Sequence, residues 1–511
     1  MKQKYLVLCL SLFFCASKIN AQVVNQIYDH DTTDLSQLHN MPFDETKMLV
    51  VSGFAFAPAG LTFHELDQSS GQLIDLTFTN VDTILSTPEF KDDKFFFEAS
   101  INGLGRELVA YDGTSTYFFD FNTGTGSSNP EIFEFENEIY VIANDGALRQ
   151  LYKYAGGTSF EQISEEIEND VDNFIANRGD EYYYITFSTV NGRAIKSTLN
   201  NNGILTHSTI APTSWQESLG DVVLLNGDIF MLSYFYTVAD ASFRVDKIDI
   251  SNTITTHHFE TGSQYSSGSI LAFDGDILFY RTDPGHTEIL NISTAQQPFV
   301  QVSIDPAQYN LIGNHVVQND KLFIYGFQYI LDVSGSTPLP IIEDGSTIQL
   351  TPAFETDSSF FVYEIAPFSS GELSGIIEVS SITNQYISYE VSNEGGFFSY
   401  SNPMVVNNGE VKFIFKTEGS NPSTDIYSFS SILAIDESDL AAFELFPNPS
   451  VNGNFKLVLP QPGKVNIYTL EGQIIQSMDL DLGINEVNVK NLTPGIYLVE
   501  YNNKVQRLFV N

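Results

Sequence analysis

Cysteine is almost missing from this chain. Its two cysteines, Cys9 and Cys15, both lie within the first 21 of 511 residues. The remainder therefore has no disulfide, no thiol nucleophile and no thiolate metal ligand. Basic residues are scarce as well, 23 Lys and Arg against 64 Asp and Glu. A surface of that sign repels nucleic acid and anionic lipid, so neither is expected as a partner. There is a single tryptophan, Trp215, which leaves Tyr and Phe to supply any aromatic platform. The apolar run Tyr5 to Cys15 is too short to span a bilayer, so no integral membrane span is expected. No HExxH pair, G-x-S-x-G elbow, phosphate loop or dinucleotide fingerprint occurs. His257 and His258 are adjacent. On a regular strand they would point to opposite faces and could not share one metal.

The N-terminus is basic at Lys2 and Lys4, apolar from Tyr5 to Cys15, and small at Ala21. That order reads as a secretory signal peptide over residues 1–21, cut between Ala21 and Gln22. The leader holds three lysines (Lys2, Lys4 and Lys18) and no acid, so its removal takes the formal charge from −41 to −44. Ca²⁺ is the one cofactor such carboxylates could take, because it prefers oxygen ligands. The densest cluster is Asn169-Asp170-Val171-Asp172-Asn173, preceded by Glu165, Glu166 and Glu168. It lacks the EF-hand pattern, and no other cofactor is expected.

What the chain does have is a recurring short pattern. One apolar residue, a polar turn and a mostly apolar run of about four residues recur at nine places. They start at Phe43, Phe90, Phe135, Ala176, Leu225, Phe273, Val317, Phe354 and Val406, with steps of 37 to 52 residues. The stretch from Pro88 to Asn122 shows the pattern best. Asp92-Asp93 turns into Phe95-Phe96-Phe97, and Asp112-Gly113 turns again before Tyr117-Phe118-Phe119. A strand-built period of this length is the signature of a β-propeller, one four-stranded blade per copy. Seven to nine blades are expected, with eight as the central count. A strand near Val23 to Tyr28 is expected to complete the last blade and remove a free edge.

Several local features have two readings. Arg178-Gly179-Asp180 spells an adhesive tripeptide, yet it falls on the recurring turn, which accounts for it. Tyr182-Tyr183-Tyr184 must alternate, so Tyr183 turns away from its neighbours. That suits a binding surface or packing between blades equally. No catalytic residue can be assigned, since acids are too many to single out the pair that glycoside hydrolysis needs.

Two resemblances add to this reading. Gly105 to Pro130 resembles the ELWxxDGT repeat of secreted bacterial proteins. Glu107, Leu108, Asp112, Gly113 and Thr114 match its core, Ser127 to Pro130 match its tail, and Val109 stands where Trp is usual. The last seventy residues or so are a run of short strands. Asp436 to Asp439 is acidic and polar and places a linker at 436–442 between a 22–435 domain and a 443–511 domain. This last domain resembles the type A C-terminal sorting domain of the type IX secretion system of Bacteroidetes. Pro447-Asn448-Pro449 fits its opening motif. Val465 to Ile475, with Gly472, fits its central hairpin. Gly495 and Tyr497 fit the penultimate strand, and Lys504 and Arg507 its basic tail.

The expected architecture is all-β, a multi-bladed β-propeller followed by a small β-sandwich sorting domain. The resemblance implies a secreted or cell-surface protein carried through the outer membrane by the type IX machinery. The propeller is expected to act as a non-catalytic binding or adhesion platform for a glycan or protein. The alternative is a secreted polysaccharide hydrolase or lyase with its site in the central channel.

Overall fold

The recurring polar turn determines the local structure. The computed structural model of the protein describes residues 25–28, 35–53, 60–304, 314–430 and 444–510, apart from short stretches within the last three ranges. Eight of the nine motif copies fall where the first two strands of an antiparallel meander meet, and the ninth joins Met404–Asn407 to Glu410–Thr417. Five of the turns put two successive residues at positive φ: Asp92 and Asp93, Glu136 and Asn137, Asn226 and Gly227, Asp274 and Gly275, Asn319 and Asp320. They close two-residue hairpin loops, with Lys91 opposite Lys94 and Phe273 opposite Asp276. Positive φ at both central positions matches the twist of the flanking strands, and Asn, Asp and Gly bear it best. That backbone demand is why the motif is polar.

The strand after each turn is apolar for another reason: it is buried on both faces. Phe95 and Phe97 pack back onto Phe63 and Phe78, while Phe96 packs forward onto Ile139 and Val141. All three phenylalanines of that run are fully buried. Each such side chain contributes roughly 1.5–3 kcal/mol by leaving water. The three tyrosines behave alike. Tyr182 and Tyr184 pack toward residues 131–163, and Tyr183 toward 219–254. Tyr183 does turn away from its neighbours, and all three rings serve packing.

Nine meanders result, over residues 35–75, 89–119, 131–162, 170–215, 218–263, 267–304, 314–343, 349–392 and 396–430. The third to the eighth are separate four-stranded sheets with strands in sequence order. The first two merge into one nine-stranded sheet, because Val81–Ile84 pairs with both. The strand Asn25–Tyr28 joins the ninth, pairing antiparallel with Thr424–Ser430. No helix occurs among the described residues. Each meander shares an apolar core with the next. A further core unites the first and the ninth, through Leu35, Leu38, Met48, Val50 and Leu66 on one side and Ile414 and Ile426 on the other.

Residues 444–510 form two sheets around a core of their own. One holds Glu444–Val451, Asn454–Leu459 and Gly483–Asn488. The other holds Gly463–Tyr468, Ile474–Leu480, Gly495–Tyr501 and Lys504–Val510. Phe455, Leu457 and Val487 from the first meet Val465, Ile467, Val499 and Leu508 from the second.

Candidate functional site

The residues of the tail motif come first. Pro447, Asn448 and Pro449 lie in Glu444–Val451, between the pair Phe446–Lys456 in one sheet and the parallel pair Ser450–Val510 in the other. They carry the chain from sheet to sheet, and a proline suits a crossing where no ladder needs its N–H. Gly495 also pairs with Val510, so these two parts of the motif flank the same strand end. Tyr497 is buried in the tail core. Lys504 opens the last strand at its other end, opposite Tyr501. Arg507 sits opposite Leu498, half-buried, and burial pulls its guanidinium below the ordinary value. Gly472 lies outside the described residues. In the central hairpin Asn466 faces Glu500 in register and donates to it at 2.9 Å, and Tyr468 bonds the same carboxylate.

The ELWxxDGT-like stretch is a structural clasp. Asp112 accepts from Thr114 N at 3.0 Å, Ser115 N at 2.8 Å and the Tyr117 hydroxyl at 2.7 Å. These donors, with the tyrosine foremost, hold its carboxyl well below the usual range. Gly113 has φ +90°, and a Cβ there would meet the Phe43 ring at 2.6 Å, so only glycine fits the turn. Glu107 is fully buried and accepts from both the backbone N (3.0 Å) and the hydroxyl of Ser128. The two acids of the motif thus fix the turn before Thr116–Phe119 and the segment after it.

Among the described residues, two open clefts gather polar groups. The larger, about 750 Å³, spans the second, third and fourth meanders. Its lining includes Lys91, Asp92, Glu138, Lys153, Glu161, Asp180, Tyr182, Asn200 and Asn202. Lys91 is tied to Glu138 at 3.6 Å and to the Asn137 carbonyl. Lys153 lies about 6 Å from the ring centres of Tyr140 and Tyr182 and pairs with no carboxylate among the described residues. The second cleft, about 580 Å³, lies between the second and third meanders. It gathers Glu89, Glu98, Arg106 and Glu131 beside Leu85, Pro130 and Ile132. Arg106 forks onto one oxygen of Glu98 at 2.6 and 2.9 Å. Burial, then the charge of Glu134, pushes the Glu89 carboxyl up to about 7.

That shift makes a stability prediction. Between its ordinary value of 4.5 and about 7, Glu89 keeps a proton in the folded chain that it loses in the unfolded one. The native state then binds more protons, so stability falls as pH rises through this window. Glu89→Gln removes the titration. The variant is expected to melt higher than the parent at about pH 8 and nearly with it at about pH 4, read from thermal unfolding at both.

Other candidates turn out to be structural. Arg178 donates to the carbonyls of Gly227 (3.0 Å) and Asp249 (2.9 Å) and to Glu181 at 3.3 Å, so the tripeptide's arginine is consumed in packing. The adjacent histidines depart from the expected alternation. A bulge at Val245/Asp246 breaks the register of their strand. The His257 ring packs on Phe230 and the His258 ring on Phe279, two rings of one core. They still gather no metal site: His257 binds the Ile292 carbonyl and His258 sits 3.3 Å from Glu260. In the acidic cluster Asp172 pairs with Arg193 at 2.8 Å and Glu165 with Lys196 at 3.3 Å. Among the described residues no three His, Cys, Asp or Glu are grouped to hold a metal.

One constellation had no sequence signal. Ser52 Oγ lies 2.6 Å from His64 Nε2, and His64 Nδ1 lies 2.8 Å from Asp75 Oδ1. The atom order is that of a hydrolase triad. The exposure is reversed: Ser52 is 3 % exposed and His64 6 %, whereas the Asp75 side chain is 73 % exposed. A nucleophile must face substrate, so this is a cross-strand polar ladder. Spacings of 12 and 11 residues across three strands give no local pattern to read.

Comparison with known proteins identifies one part of the chain. Residues 444–510 match the secretion system C-terminal sorting domain family. The tail is thus a type IX sorting domain, and it indicates export across the outer membrane to the cell surface or the medium. No curated protein matches the chain. Solved structures that are similar at low identity include three. A study of two prolyl endopeptidases gives 14 % identity over 57 % of this chain and 47 % of the other, with a TM-score of 0.33. A puromycin-hydrolysing peptidase of Mycobacterium tuberculosis gives 11 %, 65 % and 58 %, with 0.36. TolB from Acinetobacter baumannii gives 16 %, 45 % and 55 %, with 0.27. The chain spans about half the length of these structures.

Proposed function

We propose that the nine meanders form a closed β-propeller, which the sorting domain carries through the outer membrane to act as a non-catalytic binding or adhesion platform. The observation that carries this reading is the packing of the first meander on the ninth, together with the N-terminal strand in the ninth sheet. Such closure leaves few free sheet edges. It would count nine blades, the top of the expected range and one above the central count of eight. Stacked blades make a rigid support on which loops and clefts can vary. The propeller would occupy 22–435 and the linker 436–442. Pro447, Asn448, Pro449, Gly472, Gly495, Tyr497, Lys504 and Arg507 would be the features that the secretion machinery reads. The test is a glycan array with a parallel hydrolysis screen on residues 22–511, with and without Ca²⁺. Binding without product supports the platform, and calcium dependence would assign the acidic loops a role. New reducing ends or unsaturated products overturn it.

One observation favours a second reading, polysaccharide hydrolysis. Glu89, half-buried and proton-retaining, lines the same cleft as the Arg-held Glu98. They are diagonal neighbours on one hairpin, since Glu89 faces Phe96 in register. Burial raises the Glu98 carboxyl as well, against the pull of Arg106, and two carboxyls in one cleft are the groups that a two-carboxylate mechanism uses. If the screen yields product, Glu89→Gln should abolish it.

A further inference from the structure

We propose that the cleft shared by the second, third and fourth meanders is a binding site for a neutral oligosaccharide. This inference rests on the platform reading and deepens it by naming the site and the ligand class. Three points of chemistry carry it. First, the lining is polar along its length, with both donors and acceptors free. The Lys153 ammonium has no carboxylate partner among the described residues. Among the described residues the carboxylates of Asp92 and Asp180 accept no hydrogen bond from their own turns, and Asn202, at φ +54°, lines the cleft. A sugar hydroxyl both donates and accepts, so one ligand satisfies an ammonium and a carboxylate in turn. An apolar peptide or lipid would bury these groups without partners, at a cost of about 1–3 kcal/mol for each.

Second, charge excludes the acidic glycans. Two lysines face Asp92, Glu138, Glu161 and Asp180 in the lining. Lys91 is already neutralised by Glu138. A uronic or sulfated sugar would meet a net negative wall on a chain that is strongly acidic overall.

Third, the site is built on fixed elements. Lys153 lies on the strand Arg149–Gly156 and is held over the buried rings of Tyr140 and Tyr182. Asn200 is oriented by the hydrogen bond its side-chain amide donates to the Glu161 carboxylate, and its Oδ1 accepts the Gly203 N–H at 3.1 Å. Asp180 is fixed in the two-residue turn between Arg178 and Glu181, whose arginine is locked in packing. A cavity of about 750 Å³ lies within the range of ligand pockets. Its polar lining is what separates it from a drug-like site.

The experiment uses residues 22–511, an array of neutral and anionic oligosaccharides, and titration calorimetry on the best hit. The variants are Lys153→Met, which keeps the stem over the rings and removes the charge, and Asp180→Asn, which keeps a turn-forming residue. Neutral glycan binding that weakens at least about tenfold in each variant, with unchanged circular dichroism, supports the site; one charge-assisted hydrogen bond is worth roughly that factor. Binding should also change little with added salt. Glycan binding unaffected by both variants overturns the cleft and leaves the platform standing. Preference for an anionic sugar, or silence across the array, overturns the proposal. Product formation overturns the platform reading instead.

Discussion

A chain that stops at Ser438 is expected to stay in the periplasm, while the full chain reaches the cell surface or the medium. The expectation rests on how the tail is built. Its core is drawn from residues 445–510, and each apolar cluster of the meanders is drawn from residues 35–429. Removing the tail therefore leaves every one of those clusters complete. A truncated chain should keep the melting temperature of the meanders, which separates failed export from failed folding. Surface signal, read by protease accessibility on intact cells, should drop to background. A point variant should do the same. Val499 is fully buried between the two tail sheets, and Val499→Asp puts an unpaired charge there. That costs several kcal/mol, enough to unfold a domain of this size. Equal surface exposure of truncated and full chains would overturn the assignment of export to the tail.

How far could these features be read from residues alone? The hairpins were legible, because a two-residue loop with positive φ demands residues such as Asp92-Asp93 and Asp274-Gly275. The second strands were legible because burial on both faces removes the polar alternation, as at Phe95-Phe96-Phe97. The tail was legible through an ordered set of turns and strands. What stayed hidden is non-local. Nothing near Val81–Ile84 announces that it welds two meanders into one sheet. The bulge beside His257 is a register event between partner strands, so the alternation rule applied to one strand missed it. The larger cleft gathers Lys153, Asp180 and Asn200 from separate strands and turns, and no spacing along the chain encodes that meeting. Local backbone demands leave a trace in sequence; side chains brought together across sheets do not.

The seam between the first and ninth meanders is the place to test closure. Val50 is fully buried there against Ile414 and Ile426. Ile277 is equally buried between the fifth and sixth meanders. Val50→Asp and Ile277→Asp each bury an unpaired carboxylate in an apolar core, a cost on the order of 4 kcal/mol. In a closed ring no interface is terminal. Either substitution then weakens a unit in which every sheet is held from both sides, and both variants should melt early in one cooperative transition. In an open stack each unit is held mainly by its neighbours, and damage at an end stays local. The Val50 variant would then keep a second transition near the parental temperature, and limited proteolysis would trim its end sheets while sparing the middle. The strand Asn25–Tyr28 sharpens the contrast. It pairs with the ninth sheet although it precedes the first in sequence. In an open stack it would be freed with the damaged end, so cuts beside Asn25–Tyr28 would rise in the Val50 variant before any cut within 131–304, whereas in a closed ring both rise together. A single early transition for Ile277→Asp alone would refute the closed ring.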